Sequence, residues 1–129
     1  KKIIDMHTHT NYSDGDLSPQ ELIRLAIDKR IGTLAITDHD TIEGIKKVDR
    51  SEDIIVDSGI EIINGIELSA KTDKGRMHIL GYGIDLNNKA LNKKMIDHEN
   101  LSFIYLFKGI FLQYHMLIFL YLQQEYNYK

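Results

Sequence analysis

The chain has 129 residues, 43% of them hydrophobic and 27% charged, which is enough for one domain with a hydrophobic core. It contains no cysteine, which excludes disulfides and thiolate metal sites and suits a cytoplasmic location. Sixteen basic and nineteen acidic residues give a net charge of -3, and no basic tract is present that could hold a long nucleic acid by its backbone.

The apolar pattern predicts short strands that alternate with helices. A first strand is expected at residues 2–6. Ser18 suits a helix N-cap, since Pro19 follows it at the first helical position and Glu21 completes a capping box. Gly32 suits the end of that helix. The later expected elements are a strand at 33–37, a helix from 41 to about 58 closed by Gly59, a strand at 61–67 bent at Gly65, a turn at 73–75 and a strand at 77–82. This alternation favours an α/β fold with mainly parallel strands.

The composition changes near residue 100. The first 100 residues contain two of the eleven aromatic residues, whereas residues 101–129 contain nine and only three charges. Residues 101–122 are long enough to span a bilayer, but polar side chains and the charge of Lys108 argue against a membrane location. Their apolar residues follow no clean helical or strand period. Three interpretations stay open: an abnormal end such as a frame shift, a buried helix, and a membrane- or partner-binding segment.

Two histidines lie close together at the end of the first predicted strand. His7 and His9 are two residues apart, so on an extended backbone both side chains point to the same face and can bind one ion. A pair of this kind is by itself more often incidental, as two surface or core histidines. The rest of the sequence therefore decides how the pair is interpreted.

Further imidazoles and carboxylates follow the other predicted strands. Asp14 lies in a turn after the first strand, and His39 comes directly after the second. Glu67 ends the third strand, and His78 begins the fourth. Parallel α/β folds place their chemistry at strand ends, and nitrogen and oxygen ligands without sulfur suit Zn²⁺, Mn²⁺ or Fe²⁺. The sequence thus predicts a metal centre at one rim of the fold.

The candidate residues lie in five motifs, which are Asp5-Met6-His7-Thr8-His9-Thr10, Ser13-Asp14-Gly15, Thr37-Asp38-His39-Asp40-Thr41, Gly65-Ile66-Glu67-Leu68-Ser69 and His78-Ile79-Leu80-Gly81-Tyr82. Together these motifs resemble the PHP family (polymerase and histidinol phosphatase), a group of multinuclear metal-dependent phosphoesterases. Their order is most similar to stand-alone members that act on nucleotides, the nucleoside 3′,5′-bisphosphate phosphatases and RNA-trimming exonucleases. The resemblance implies a partial PHP domain at residues 1–95 and an atypical hydrophobic segment at residues 96–129.

The resemblance also implies a fold and a set of ligands. The fold is the N-terminal half of a distorted PHP-type (β/α) barrel, followed by an aromatic-rich C-terminal helix or tail. The implied metal ligands are His7, His9 and Glu67 on one ion, Glu67 and His78 on a second, and Asp14 and His39 on a third. The residues implied to orient these ligands are Asp5, Asp38, Asp40 and Ser69. For Asp40, capping of the following helix is an equal alternative.

The implied activity is hydrolysis of nucleotide or oligonucleotide phosphate esters by metal-activated water. The expected cofactors are divalent ions, Mn, Zn or Fe, with up to three in a complete family member. Such ions neutralise phosphate oxygens and generate hydroxide near neutral pH, so no protein nucleophile is expected. The expected partner is a small phosphorylated substrate, either a nucleotide or a short oligonucleotide.

The sequence departs from the family in its later part. Motifs that supply another histidine and an Asp-x-His pair are not found, and neither His98 nor His115 lies in a matching motif. A closed barrel takes about 250 residues, and an open half-sheet leaves an unpaired strand edge. We therefore expect a shortened product with impaired activity. Self-association through the open edge or the C-terminal segment could cover the unpaired strand. The alternative is a non-catalytic metal- or phosphate-binding fragment or an interaction module.

Overall fold

The computed structural model describes residues 2–72, 75–89 and 117–121, with side chains for residues 2–69 and 77–89. Its elements are β1 (Ile3–Thr8), α1 (Pro19–Asp28), β2 (Ile31–Ile36), α2 (Glu43–Lys46), α3 (Asp53–Ser58), β3 (Glu61–Thr72), β4 (Gly75–Tyr82) and β5 (Leu117–Tyr121). The strands form one five-stranded sheet in the order β1-β2-β3-β4-β5. The alternation of strands and helices predicted from the sequence is therefore present from β1 to β3.

The sheet is mixed rather than mainly parallel. Strands β1, β2 and β3 pair in parallel, whereas β3 with β4 and β4 with β5 pair antiparallel. A parallel connection needs a crossover of a dozen or more residues, and β3 is separated from β4 by residues 73–74 alone. The short separation therefore dictates the antiparallel pair. The predicted turn at 73–75 includes those two residues, which lie outside the described part of the chain, and Gly75, which begins β4.

Helix α1 begins as its sequence predicts. The Ser18 side chain accepts from the Glu21 backbone N–H, and the Glu21 carboxylate accepts from the Ser18 backbone N–H at 2.8 Å. Ile23 and Ala26 are buried and face the sheet. The helix ends at Asp28, before the predicted stop at Gly32, because Arg30 turns the chain with a φ of 59° directly into β2.

The single helix predicted from residue 41 to about 58 is wrong. Two short helices, α2 and α3, take its place. The Gln20 side chain accepts from the Asp49 backbone N–H at 3.2 Å, and the Asp49 carboxylate accepts from the Ser51 backbone N–H at 2.9 Å. Such a local turn competes with helical hydrogen bonding, so the chain breaks between the helices. Gly59 ends α3 with a φ of 64°, as predicted.

Strand β3 runs unbroken through Gly65, where the sequence predicts a bend. A Cβ at Gly65 would lie 2.6 Å from the Thr37 side chain and 2.9 Å from the Ile36 carbonyl oxygen. The glycine therefore allows close approach of the chain that follows β2.

The core lies mainly between the sheet and the helices. Its buried apolar residues include Ile23, Leu34, Ile36, Ile42, Ile45, Ile55, Ile66 and Ile79. A second, smaller cluster contains Ala35, Leu80 and Tyr82, with Met6 and Ile63 packed against it. Among the described residues β1 pairs with β2 alone, and Ile3 and Ile4 are 56% and 62% exposed. The expected open sheet edge is thus found at β1.

The C-terminal segment is described only at β5. Its five residues form a strand paired with β4, with Phe119 opposite Leu80, whereas a helix was one of the alternatives predicted for this region. His98, His115 and the predicted boundary at residue 95 lie outside the described residues. Within the described part of the chain, every helix is too short or too polar to cross a membrane.

The capping box at α1 can be tested by a change in stability. Ser18→Ala removes the side-chain acceptor of the helix N-terminus, so we expect the free energy of unfolding to fall by about 1 kcal/mol. Urea denaturation of the 129-residue chain measures this change. Ser18→Thr keeps the hydroxyl and should be nearly neutral. Equal losses in the two variants would contradict the capping role.

Candidate metal centre

The parallel part of the sheet brings four candidate ligands to one end of the molecule. His7 lies near the end of β1 and His9 follows it, while His39 comes after β2 and forms an isolated parallel bridge with Glu67. Glu67 lies in the part of β3 that extends past the end of β2 at Ile36. The register of β1 against β2 shifts between Asp5 and Thr8, so β1 is irregular where His7 occurs. Irregularities of this kind commonly re-aim side chains beside functional sites.

Strand β4 carries His78 into the same region. Its register places His78 opposite Ser69 and Leu80 opposite Glu67. His78, Leu80 and Tyr82 alternate along β4 and therefore share one face of the strand. The antiparallel hairpin thus supplies an imidazole from the far side of β3.

A buried carboxylate lies at the centre of the four imidazoles. Glu67 is 1% exposed. Its Oε2 atom lies 2.6, 3.1 and 3.6 Å from the Nε2 atoms of His7, His9 and His39. Its Oε1 atom lies 2.8 Å from Nδ1 of His78. Since a buried carboxylate is costly without compensating charge, this position strongly favours cations.

A second carboxylate closes the cluster on its solvent side. Asp14 is 63% exposed at its side chain, with Oδ1 3.2 Å from Nδ1 of His9 and Oδ2 3.5 Å from Nε2 of His39. The rings of His9 and His39 are stacked with centroids 4.7 Å apart. Asp14 therefore faces two of the imidazoles that surround Glu67.

The chemistry of these side chains fits divalent metal ions. The buried Nδ1 atom of His9 has no hydrogen-bond partner among the described residues, because its 3.2 Å contact with Asp14 lacks hydrogen-bond geometry. Burial lowers the pKa of His9, an effect that the charge of Asp14 opposes. A neutral imidazole has a lone pair for a metal ion. This ring nitrogen, unpaired and beside a carboxylate oxygen, is therefore a suitable donor for a divalent metal ion.

The six predicted ligands fall into three groups whose ligand atoms all lie within 4.8 Å of one another. The groups are His7, His9 and Glu67; His9, Asp14 and His39; and His39, Glu67 and His78. Ligands about 2 Å from one ion lie at most about 4 Å apart, so each group could share an ion after small movements of its side chains. The structure adds His9 to the expected Asp14 and His39 pair, and His39 to the expected Glu67 and His78 pair.

Two of the four residues predicted to orient ligands, Asp5 and Asp40, accept hydrogen bonds from the backbone, and a third, Ser69, contributes its backbone N–H. Asp5 accepts from the His7 backbone N–H at 3.3 Å, and Asp40 accepts from the Ser69 backbone N–H at 2.7 Å. The Asp40 backbone N–H in turn donates to the Glu67 carbonyl at 2.9 Å. These bonds hold the segments that carry the ligands. The alternative role for Asp40 as a helix cap is not met, because the N-cap of α2 is Ile42.

Asp38 is the most deeply placed of the four, at 1% exposure. Its carboxylate accepts from the Thr10 backbone N–H at 2.6 Å, the Thr10 hydroxyl at 2.7 Å and the Ser13 hydroxyl at 2.8 Å. Thr10 and Ser13 have no role in the sequence prediction. Both residues belong to the first two motifs, but their partner Asp38 lies after β2 and reaches them only in the folded chain.

Tyr82 is another residue that the sequence reasoning missed. Its hydroxyl donates to the Met6 carbonyl oxygen at 2.8 Å and so ties β4 to β1 beside His7. Burial, with a smaller contribution from Glu67, raises the pKa of Tyr82. The signal was its spacing of four residues from His78, which puts both side chains on the same strand face.

Comparison with known proteins gives one family and several relatives. The family described as PHP domain matches residues 5–129, across the predicted boundary at residue 95, which stays a prediction. The chain is 40% identical over 89 residues to the 5′-3′ exoribonuclease Rnm of Salmonella typhimurium, covering 69% of this chain and 30% of the relative. It is 38% identical over 88 residues to the 3′,5′-nucleoside bisphosphate phosphatase of Chromobacterium violaceum, covering 68% and 30%.

A solved structure shares the fold. It is an amidohydrolase from Chromobacterium violaceum with bound sulfate and no metal, 35% identical, with a TM-score of 0.64 over 73% of this chain and 32% of that one. The chain thus spans about a third of the length of the proteins it matches. The expected fold, the N-terminal part of a PHP-type α/β barrel, is confirmed.

The central carboxylate can be tested by metal binding. Glu67→Gln keeps the size of the side chain but removes the charge that faces the imidazoles. We expect affinity for Mn²⁺ or Zn²⁺ to fall by more than the roughly 100-fold that loss of an outer hydrogen-bond partner costs. Isothermal titration and elemental analysis after dialysis measure this loss.

A matched control is Glu43→Gln, which changes an exposed glutamate paired with Lys46 at 2.8 Å. It should bind metal as the unchanged chain does. Equal metal content in the Glu67 and Glu43 variants would contradict the proposed centre.

Proposed function

The chain belongs to the PHP domain family, and on that premise we propose that its six clustered ligands bind divalent metal ions and serve hydrolysis of phosphate esters. The observation that carries the proposal is the Glu67 carboxylate, buried and within 3.6 Å of four imidazole nitrogens. A structural ion pair needs one partner for such a carboxylate. Four imidazoles around it are better explained as ligands that share cations with it.

The proposed ligands are His7, His9, Asp14, His39, Glu67 and His78. Divalent ions held there would neutralise phosphate oxygens and lower the pKa of water so that hydroxide forms near neutral pH. The nitrogen and oxygen donor set suits Mn²⁺, Zn²⁺ or Fe²⁺. The chain's own contribution is to hold these donors in place, since Glu67 is fixed in β3 and the imidazoles come from the end of β1, the chain after β2 and strand β4.

The exposed side of the cluster is where a substrate would enter. The side chains of Asp14 and His7 are 63% and 36% exposed, whereas that of Glu67 is 2% exposed. A phosphate group approaching from solvent would therefore meet the outer groups first. With no cysteine in the chain, we propose attack by water rather than by a protein thiolate.

We propose a small phosphorylated substrate, either a nucleotide or a short oligonucleotide. The named activities of the relatives, an exoribonuclease and a nucleoside bisphosphate phosphatase, support this class. The net charge of -3 disfavours long nucleic acids, which need extended phosphate contacts. Because the chain spans about 30% of these relatives, activity of the 129-residue chain itself is part of the proposal.

A second candidate function is binding of metal or phosphate without turnover. The observation that favours it is the solved relative that holds sulfate with no metal. A cluster of four imidazoles can bind an oxyanion when its rings are protonated. In that case the chain would be a binding fragment or an interaction module.

One assay separates the two functions. The metal-loaded chain is tested on an aryl phosphate and on a nucleoside 3′,5′-bisphosphate, and released phosphate is measured. We expect turnover that is removed by a chelator and by His78→Ala, because that change deletes the imidazole nearest to Oε1 of Glu67.

Lys46→Ala, which breaks an exposed ion pair, serves as the control and should keep the turnover of the unchanged chain. Tight metal binding without turnover on either substrate would contradict the enzyme. It would instead support the binding fragment.

A further inference from the structure

We propose that Asp38 is a positioning residue that holds the loop from Thr10 to Asp14, so that the Asp14 carboxylate faces His9 and His39. The inference rests on the proposed function, because it assigns Asp38 a role toward one of the three ligand groups. Asp38 lies in none of those groups. It acts instead on the backbone and hydroxyl groups of the loop.

Three donors converge on the Asp38 carboxylate. Oδ1 accepts from the Thr10 backbone N–H at 2.6 Å and from the Ser13 hydroxyl at 2.8 Å, and Oδ2 accepts from the Thr10 hydroxyl at 2.7 Å. Thr10 and Asp38 are both buried. Hydrogen bonds to a buried charged acceptor are among the stronger ones in proteins, so the loop is held at two of its residues.

Thr10 is also the anchor of the loop's own turn. Its carbonyl oxygen accepts from the Ser13 backbone N–H at 3.0 Å and from the Gly15 backbone N–H at 2.9 Å. Asp14 lies between these two donors. A contact that holds Thr10 therefore also holds the backbone of Asp14. The Asp14 side chain is itself largely exposed.

The Ser13 hydroxyl has two carboxylates within reach and one proton to donate. Its oxygen lies 2.8 Å from Asp38 and 3.4 Å from Asp14. The shorter contact takes the proton, which leaves both oxygens of Asp14 available to face the imidazoles. The bond to Asp38 thus orients Ser13 away from the ligand it adjoins.

Helix α2 packs closely against the Asp38 carboxylate at Gly44. A Cβ at Gly44 would lie 2.1 Å from Oδ2 of Asp38 and 2.7 Å from the Thr10 hydroxyl oxygen. Only a residue without a side chain fits there while these bonds are kept. The loop, Asp38 and α2 therefore form one packed unit behind the ligand group of His9, Asp14 and His39.

The test compares Asp38→Ala, Asp14→Ala and the double variant by Mn²⁺ titration. Asp14→Ala identifies the binding event that belongs to the group of His9, Asp14 and His39. We expect Asp38→Ala to weaken that same event by about 10- to 100-fold, with the remaining binding unchanged and no further loss in the double variant. Asp49→Ala, which removes a carboxylate bonded to Ser51 outside the ligand groups, should bind as the unchanged chain does.

Hydrogen exchange of the metal-free chain tests the loop directly. The peptide covering residues 10–15 should exchange faster in Asp38→Ala, whereas Asp38→Asn, which keeps the shape and one acceptor, should restore protection and most of the binding. If Asp38→Ala fails to fold, Ser13→Ala removes one of the three donors and should weaken the same event less.

The outcomes separate the two proposals. Weakening by Asp14→Ala but not by Asp38→Ala overturns the positioning role and leaves the metal centre intact. If Asp38→Asn restores protection at residues 10–15 but binds Mn²⁺ as weakly as Asp38→Ala, the positioning role is also overturned, because the loop would then be held without restoring the binding event. If the unchanged chain binds no metal, the proposed function fails, and unchanged exchange at residues 10–15 would overturn the loop contact as well.

Discussion

The buried Glu67 carboxylate is the constraint on which the rest of this structure depends. A carboxylate removed from water loses several kcal/mol of hydration, which only nearby cations or hydrogen-bond donors can offset. Here the compensation comes from three strands and the chain that follows them, since His7, His9, His39 and His78 all lie within 3.6 Å. Strands β1 to β4 are thereby all positioned around the Glu67 side chain.

The sheet topology makes this convergence feasible. Parallel pairing brings the ends of β1 and β2 to the same edge, and β3 runs past that edge to carry Glu67 to the level of His39. An ordinary parallel strand that stopped level with β2 would end near Asn64 and leave Glu67 in a loop. The extension of β3 is stabilised by its hairpin with β4, which also delivers His78. The antiparallel pairing of β4 thus adds His78 to the three imidazoles that the parallel strands place around Glu67.

Local signals in the sequence were sufficient where the structure is itself local. The capping box at Ser18 and the left-handed Gly59 depend on a few neighbouring residues, and both were predicted. The ligand positions were found because the strand ends of an α/β sheet meet at one edge and because the five motifs match a known family. The position of each ligand along the chain therefore carried most of the information about the site.

What the sequence could not show depends on contacts between distant segments. The break between α2 and α3 is held by Gln20, which lies 29 residues before Asp49. The anchoring of Thr10 by Asp38 spans 28 residues, and the close approach at Gly65 involves Thr37. In each case the local pattern is compatible with a simpler structure, and tertiary packing selects the one observed.

The donor count of the cluster links the site to the length of the chain. A neutral imidazole offers one lone pair, so the four histidines supply four nitrogen ligands, and Asp14 and Glu67 supply at most four oxygens. Three ions with three protein ligands each would need about nine donors. Because a neutral imidazole can serve one ion only, His9 and His39 cannot complete both of the groups to which each belongs, so these residues alone cannot fill all three groups at once. Under the proposed function, an ion left short of protein ligands would take water, substrate or residues outside the described part of the chain to complete its coordination. The chain spans about 30% of the relatives it matches, so a longer protein has room for such residues.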